Sequence, residues 1–311
     1  MSFDLSAIAI REPAVIIRDP AGTPAYFWTK NAITLKPEVE YFDLAASAHA
    51  SSEKRIKSLY WSVETELVGE WEALSVLFPR LSSSLGASVL GTTDVAWRVQ
   101  GLISGNQWDF PRGGVMTRPT IRASVGQTLL GPIKLAFCCA SNKDPGESGA
   151  FYVYTAAQSV PNFASFAPSN ILTLAPAITY GSLMSAAHTE NGVEFDFAWT
   201  TKPVLDNGLI RDWTVTGQDF TAQLKPYALS FADIITAAGY NQAMGSALPT
   251  QTFIAAYSGF YAALRGATCE QAAFKFSGED DFIDGLVFRA SQTYSSNLQV
   301  APGYVGTEAP A

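Results

Sequence analysis

The chain has 311 residues, 48% of them hydrophobic and only 15% charged, with a formal net charge of −8 and a pI near 4.8. That length accommodates two domains of ordinary size or one large β domain. The excess of acid and the lack of any Lys/Arg run exclude a phosphate-gripping groove. So low a charge content implies surface hidden in a core or against partner subunits.

The opening MSFDLSAIAIREP has no basic region followed by a long apolar run, so no signal peptide is expected. No segment approaches 18 uninterrupted apolar residues, and no membrane span is expected. The first strand signal with a clear partner is ITLKPEVEYFDL (33–44), which leads into a small-residue loop, ASAHASSEKR. A second strand follows in SLYWSVETELV (58–68), where Ser62, Glu64 and Glu66 oppose Trp61, Val63, Thr65 and Leu67. EWEALSVLFPRL (70–81) is expected to be a helix ended near Pro79. The chain then returns to strands at VAWRVQGLI, TIRASVG and IKLAFCC.

A loop rich in Pro, Ser and Asn, residues 156–170, separates this series from a second one. In GVEFDF (192–197), Val193, Phe195 and Phe197 alternate with Glu194 and Asp196, the period of a half-buried strand. TTKPVLDNGLIRD is expected to be a long polar loop, with Pro203 and Asn207-Gly208 as turn signals. The strand DWTVTGQDFTAQL comes next, then a short helix within KPYALSFADIITAAG that Gly239 ends. Three strand signals close the chain: TFIAAYSG, AAFKFSG and GLVFRASQTY.

The two series share a grammar, and several stretches match at nearly constant spacing. Val39-Glu40-Tyr41 resembles Val193-Glu194-Phe195 at an offset of 154. PAVII and PSNIL, and EALS and YALS, lie 155 apart, and Ile56-Lys57 and Ile210-Arg211 lie 154 apart. IRAS and FKFS, and LLGPIKL and FIDGLVF, lie 153 apart. Matches in one order within so narrow a band point to an internal duplication. The expected architecture is mainly β: a β-sandwich or partly closed barrel with one short α-helix per unit, the units spanning 1–157 and 158–311.

The search for chemistry returns little. His49 and His188 are the only histidines, and neither lies at metal-ligand spacing from another His or Cys, so no metal site is expected. Cys138, Cys139 and Cys269 read as reduced thiols, the first two in a buried strand. No nucleophile elbow, dinucleotide fingerprint or phosphate loop occurs. GEDDFID, with Glu279, Asp280, Asp281 and Asp284, lacks calcium-loop spacing and reads as a solvated turn. No catalytic residue and no cofactor is expected, and the chain reads as a structural or binding protein.

The run from Thr189 to Ile235, TENGVEFDFAWTTKPVLDNGLIRDWTVTGQDFTAQLKPYALSFADII, resembles the tail tube (major tail) proteins of long-tailed bacteriophages. In that family a Gly-led strand with hydrophobic-acidic alternation precedes a long loop, a second strand, a Pro-containing segment and a short helix. IRASVGQTLLGPIKLAF (121–137) resembles the strand that closes such a domain. The resemblance implies a β-sandwich-like fold, stacked rings around a DNA channel, and, for a chain with two such domains, a trimeric ring of pseudo-sixfold symmetry. It implies contacts with itself and with tail terminator, tape measure and distal tail proteins, assembly in the host cytoplasm and residence in the virion. DNA would pass without being held. An acidic channel wall would favour that passage, and the candidates are Glu40, Glu64, Glu66, Glu194, Asp196 and Asp219. Two alternatives stand beside it: another virion component (capsid, sheath or tail tip), or a β-rich carbohydrate-binding protein with Trp71, Trp97 or Trp108 lining a groove.

Overall fold

The computed structural model describes residues 8–10, 14–19, 25–29, 33–44, 53–68, 96–102, 107–110, 112–116, 120–122, 133–138, 152–154, 176–182, 184–186, 189–206, 209–226, 231–257, 259–276, 281–290 and 302–310. The protein is mainly β, with one α-helix among the described residues.

In the first half the strands are β1 (Ile8–Ile10), β2 (Ala14–Asp19), β3 (Ala25–Thr29), β4 (Ile33–Leu44), β5 (Glu53–Thr65) and β6 (Leu67–Val68). They continue with β7 (Ala96–Gly101), β8 (Gln107–Phe110), β9 (Arg112–Met116), β10 (Thr120–Arg122), β11 (Ile133–Cys138) and β12 (Tyr152–Tyr154). The second half holds β13 (Ala177–Tyr180), β14 (Met184–Ala186), β15 (Thr189–Asp206), β16 (Leu209–Pro226) and α1 (Phe231–Ala238). It ends with β17 (Gln251–Tyr257), β18 (Phe260–Phe276), β19 (Asp281–Ala290) and β20 (Gly303–Gly306). One sheet of 14 strands curls into a half-barrel, and a second of six strands has the order β12-β8-β7-β2-β3-β6.

Alternation explains which face of each strand is buried. Ile33, Leu35 and Val63 point into the core, as do Val193, Phe195, Phe197, Phe220 and Ala222. Aromatic rings fill much of each half. Phe27, Trp97, Phe110 and Phe137 pack in the first, with the Phe110 and Phe137 rings stacked at 4.4 Å. Tyr180, Phe195, Phe253 and Phe288 pack in the second, with Phe253 and Phe288 stacked at 4.6 Å. Gly303 has no Cβ, which lets β20 lie close over this core; a Cβ there would sit 3.0 Å from the Phe220 ring and 3.1 Å from that of Phe197.

The helix ends where the sequence expects. Gly239 adopts φ +72°, its N–H donates to the carbonyl of Thr236, and the Tyr240 N–H donates to that of Ile235. This paired closure satisfies the last carbonyls of α1 and needs a left-handed residue, which glycine supplies without steric cost.

Three expected loops or turns are corrected: Glu53, Lys54 and Arg55 of ASAHASSEKR open β5, and Asp281 to Asp284 of GEDDFID open β19. The stretch TTKPVLDNGLIRD is not a long loop: β15 runs to Asp206, β16 begins at Leu209, and those two residues pair. Only Asn207 and Gly208 lie between, the dipeptide that favours two-residue hairpins. Pro203 sits within β15 opposite Trp213, in a strand whose outer edge, among the described residues, is paired at Glu194–Asp196 by β10 and is open at Pro203. An edge tolerates a residue without an N–H. The helix expected over 70–81 and the loop at 156–170 lie outside the described residues.

Candidate assembly site: two hairpins and the seam between them

The same order of strand pairing occurs in both halves. In the first, β3-β2-β7-β8 is a run of antiparallel neighbours, and β9-β11-β5-β4 is another. In the second, the run is β14-β13-β17-β18-β19-β16-β15. Strand β18 takes the place of β8 and β9, which Pro111 divides.

Registers coincide as well as order. Across four strands, Leu35, Val63, Leu135 and Met116 are opposite one another in turn. The equivalent row is Phe195, Ala222, Phe288 and Cys269. The offsets between these rows are 160, 159, 153 and 153. The LLGPIKL/FIDGLVF match is therefore the true correspondence of two strands. The VEY/VEF match is not: Phe195 answers to Leu35, and Glu194 to Thr34 rather than to Glu40. The matched Ile56 and Ile210 are likewise not equivalent, because Ile56 answers to Val215. PAVII belongs to β2, whose counterpart is β13 and not PSNIL. A single spacing fails because the hairpins differ in length, 12 and 13 residues against 18 and 18.

A β-bulge recurs at the same place. The β4–β5 register shifts after Glu40, leaving Lys57 as the extra residue; the β15–β16 register shifts after Thr200, leaving Thr216. Each extra residue reaches back to the one across from the bulge. The Lys57 ammonium lies 3.2 Å from the Glu40 carboxylate, and the Thr216 hydroxyl donates to the Thr200 carbonyl at 3.0 Å. The bulge keeps Trp213 and Val215 on the same face as Phe220 although their spacing is odd.

Among the described residues strand pairing joins the halves at two places. Strand β10 pairs with the outer edge of β15, Ile121 opposite Phe195. An equivalent edge on β4 is covered by β1, with Ile8 opposite Leu35. IRAS thus serves a different purpose from FKFS, whose Phe274 lies in β18. At the second join, Leu59 of β5 pairs in parallel with Leu209 of β16, and the rings of Tyr60 and Trp213 meet edge to face with centroids 5.8 Å apart.

The carboxylates expected on a channel wall differ in exposure and in what lies beside them. Glu64 is exposed and lies in a row between Thr34 and Lys134. Glu194 is exposed and Asp196 half-buried, opposite Gln223 and Thr221 of β16. Asp219 is bonded to Arg289, whose guanidinium also donates to Glu270 at 2.6 Å. Those two hydrogen bonds, Glu270 first, raise the pKa of Arg289 above its ordinary value. Glu40 fastens the bulge, and Glu66, between β5 and β6, is half-buried. Sequence reasoning missed Arg289 and Lys57 as partners because nothing in the local pattern links residues 70 or 17 positions apart.

Among the described residues no group of three or more His, Cys, Asp or Glu could hold a metal. Cys269 is buried. Trp97 and Trp108 are buried in the core, which removes them from any sugar-binding groove. Large apolar side chains are exposed near both hairpin tips: Tyr41 and Phe42 at 52% each, Val204 at 43% and Leu205 at 44%. No protein-family model matches the sequence, and no curated protein matches it.

Proposed function

We propose that this chain is a structural subunit of a long-tailed phage tail tube, built from two copies of one unit, three chains of which form a pseudo-sixfold ring that stacks into a tube. The observation that carries this reading is the recurrence of one strand-pairing order, register and bulge in both halves. A chain with two equivalent units can supply six similar positions from three copies. Apolar residues left exposed at both hairpin tips support burial against further copies.

The channel would be lined by hairpin faces directed away from the core, with Glu64, Glu194 and Asp196 as its acidic groups. Fixed negative charge facing a duplex repels phosphates and lets DNA slide rather than bind. No catalysis is assigned to the chain. Its partners would be itself and the tail terminator, tape measure and distal tail proteins, and its place the virion tail. Negative-stain microscopy of the purified protein tests the reading. Rings or hollow tubes with three- or sixfold end views are expected; a monomer at every concentration refutes it.

A further inference from the structure

The seam inside the chain is not reciprocal, and this has a consequence at the chain's two outer ends. By the shared register and bulge, Leu59 and Tyr60 of β5 correspond to Gln218 and Asp219 of β16. In the same way Trp213 corresponds to Lys54. At the seam, Tyr60 of the first half meets Trp213 of the second. A twofold-related pair would also bring Lys54 to Asp219 within the chain. It does not: Lys54 pairs with Asp43 on its own hairpin, and Asp219 with Ala198 and Arg289 on the other half. The contact is therefore heterologous, and among the described residues one half of it in each unit has no strand from the other half paired to it: in the first the hairpin segment around Lys54, in the second the β16 segment around Asp219. Such contacts extend into rings or filaments.

We infer that the β4–β5 hairpin of one copy docks against β16 of another, placing Lys54 at Asp219 in the position that Trp213 holds at Tyr60. The charges on the two segments are complementary: Lys54 is exposed, and the Asp219 side chain is 58% exposed. Arg289 reaches Asp219 from β19, on the same edge of β16 as the seam, and would share it with the incoming ammonium. The seam within the chain is aromatic and the one between chains ionic, so salt should open the second before the first. This inference deepens the tube-subunit reading and rests on the equivalence of the two halves.

The test uses the full chain. A photoreactive side chain is placed at Thr216, which is exposed near the proposed junction, in protein mixed from two isotope labels. Capture of a Lys54-containing peptide from the other label is expected. The same probe at Tyr60 should capture the Trp213 region of its own chain, which verifies the chemistry. Sedimentation velocity then compares Lys54→Glu and Asp219→Lys, each expected to cut assembly at least tenfold in concentration dependence, with the double exchange, expected to restore most of it. Circular dichroism and melting separate folding failure from assembly failure. Assembly into rings with no inter-chain capture at Thr216, or single exchanges without effect, overturns this inference and leaves the tube reading standing. A monomer at every concentration overturns both.

Discussion

The ring of Tyr60 stands edge to face against Trp213, 5.8 Å between centroids, at the seam where equivalent strands of the two halves run parallel. Trp213 is buried there, so this one side chain joins the core of its own hairpin to the neighbouring unit.

Trp213→Ala should destabilise the protein by about 3–5 kcal/mol, as for other buried large-to-small changes. A double-mutant cycle with Tyr60→Ala should return a coupling of about 0.5–1.5 kcal/mol, the range for paired aromatic rings. Urea denaturation of the four proteins measures it, and a coupling indistinguishable from zero would mean the seam is held by backbone pairing and β10 alone.

Gly239→Ala forces a side chain into φ +72° and puts its Cβ 2.7 Å from Cδ of Pro249. The left-handed conformation alone costs about 1–2 kcal/mol, and the proline contact adds to it. Gly239→Asn should recover part of the conformational term, since asparagine tolerates that region, but none of the steric one. Thermal melts of the three proteins would rank them Gly, Asn, Ala; an alanine variant as stable as the parent contradicts the closure of α1 described above.

Alkaline pH should weaken the fold. The Tyr180 hydroxyl lies 2.7 Å from the Pro249 carbonyl and 2.8 Å from that of Ala267, and burial, followed by the nearby Cys269, pushes its pKa from 10.0 up to about 12. Burial also raises Tyr257. A phenol whose pKa is raised on folding contributes stability that is complete below pH 10 and is lost as pH climbs through the folded value. Stability measured by denaturant midpoint should therefore fall between about pH 10 and about 12. Tyr180→Phe should lower stability at pH 7 by about 1–3 kcal/mol, by leaving carbonyls without a donor, and should flatten part of the alkaline fall. A fall of unchanged depth in that variant assigns the whole effect to other groups.

Replacing Glu64, Glu194 and Asp196 together by Lys should leave ring assembly nearly intact, because all three face away from the core. The assembled variant should gain salt-sensitive affinity for duplex DNA, seen as a mobility shift at about 50 mM salt that fades by about 200 mM. If assembly collapses, these residues lie at subunit contacts. If rings form without any gain in DNA affinity, they face the tube exterior.

Much of the local structure was legible in the residues themselves. The strand ITLKPEVEYFDL matches β4 to its exact ends, and Gly239 marks the end of α1. The loop expected over 200–212 was misread because Thr, Lys and Pro there look like turn residues. On a two-stranded ribbon with both faces partly wet, polar residues are as good a strand as apolar ones, and Asn207-Gly208 alone carried the turn signal.

Alternation and turn chemistry, then, determined where α1 ends and which side of β15 is apolar around Val193, Phe195 and Phe197, because those depend on neighbours a few positions away. The sense of a repeat was also present in the sequence, though its best-looking match joined residues that are not equivalent. Tertiary structure decided the rest: the true register of the two halves, the shared bulge at Lys57 and Thr216, the pairing of Asp219 with Arg289, and the parallel seam at Leu59 and Leu209. These join residues far apart in the chain, and their partners are chosen by how whole sheets pack, which no local pattern encodes.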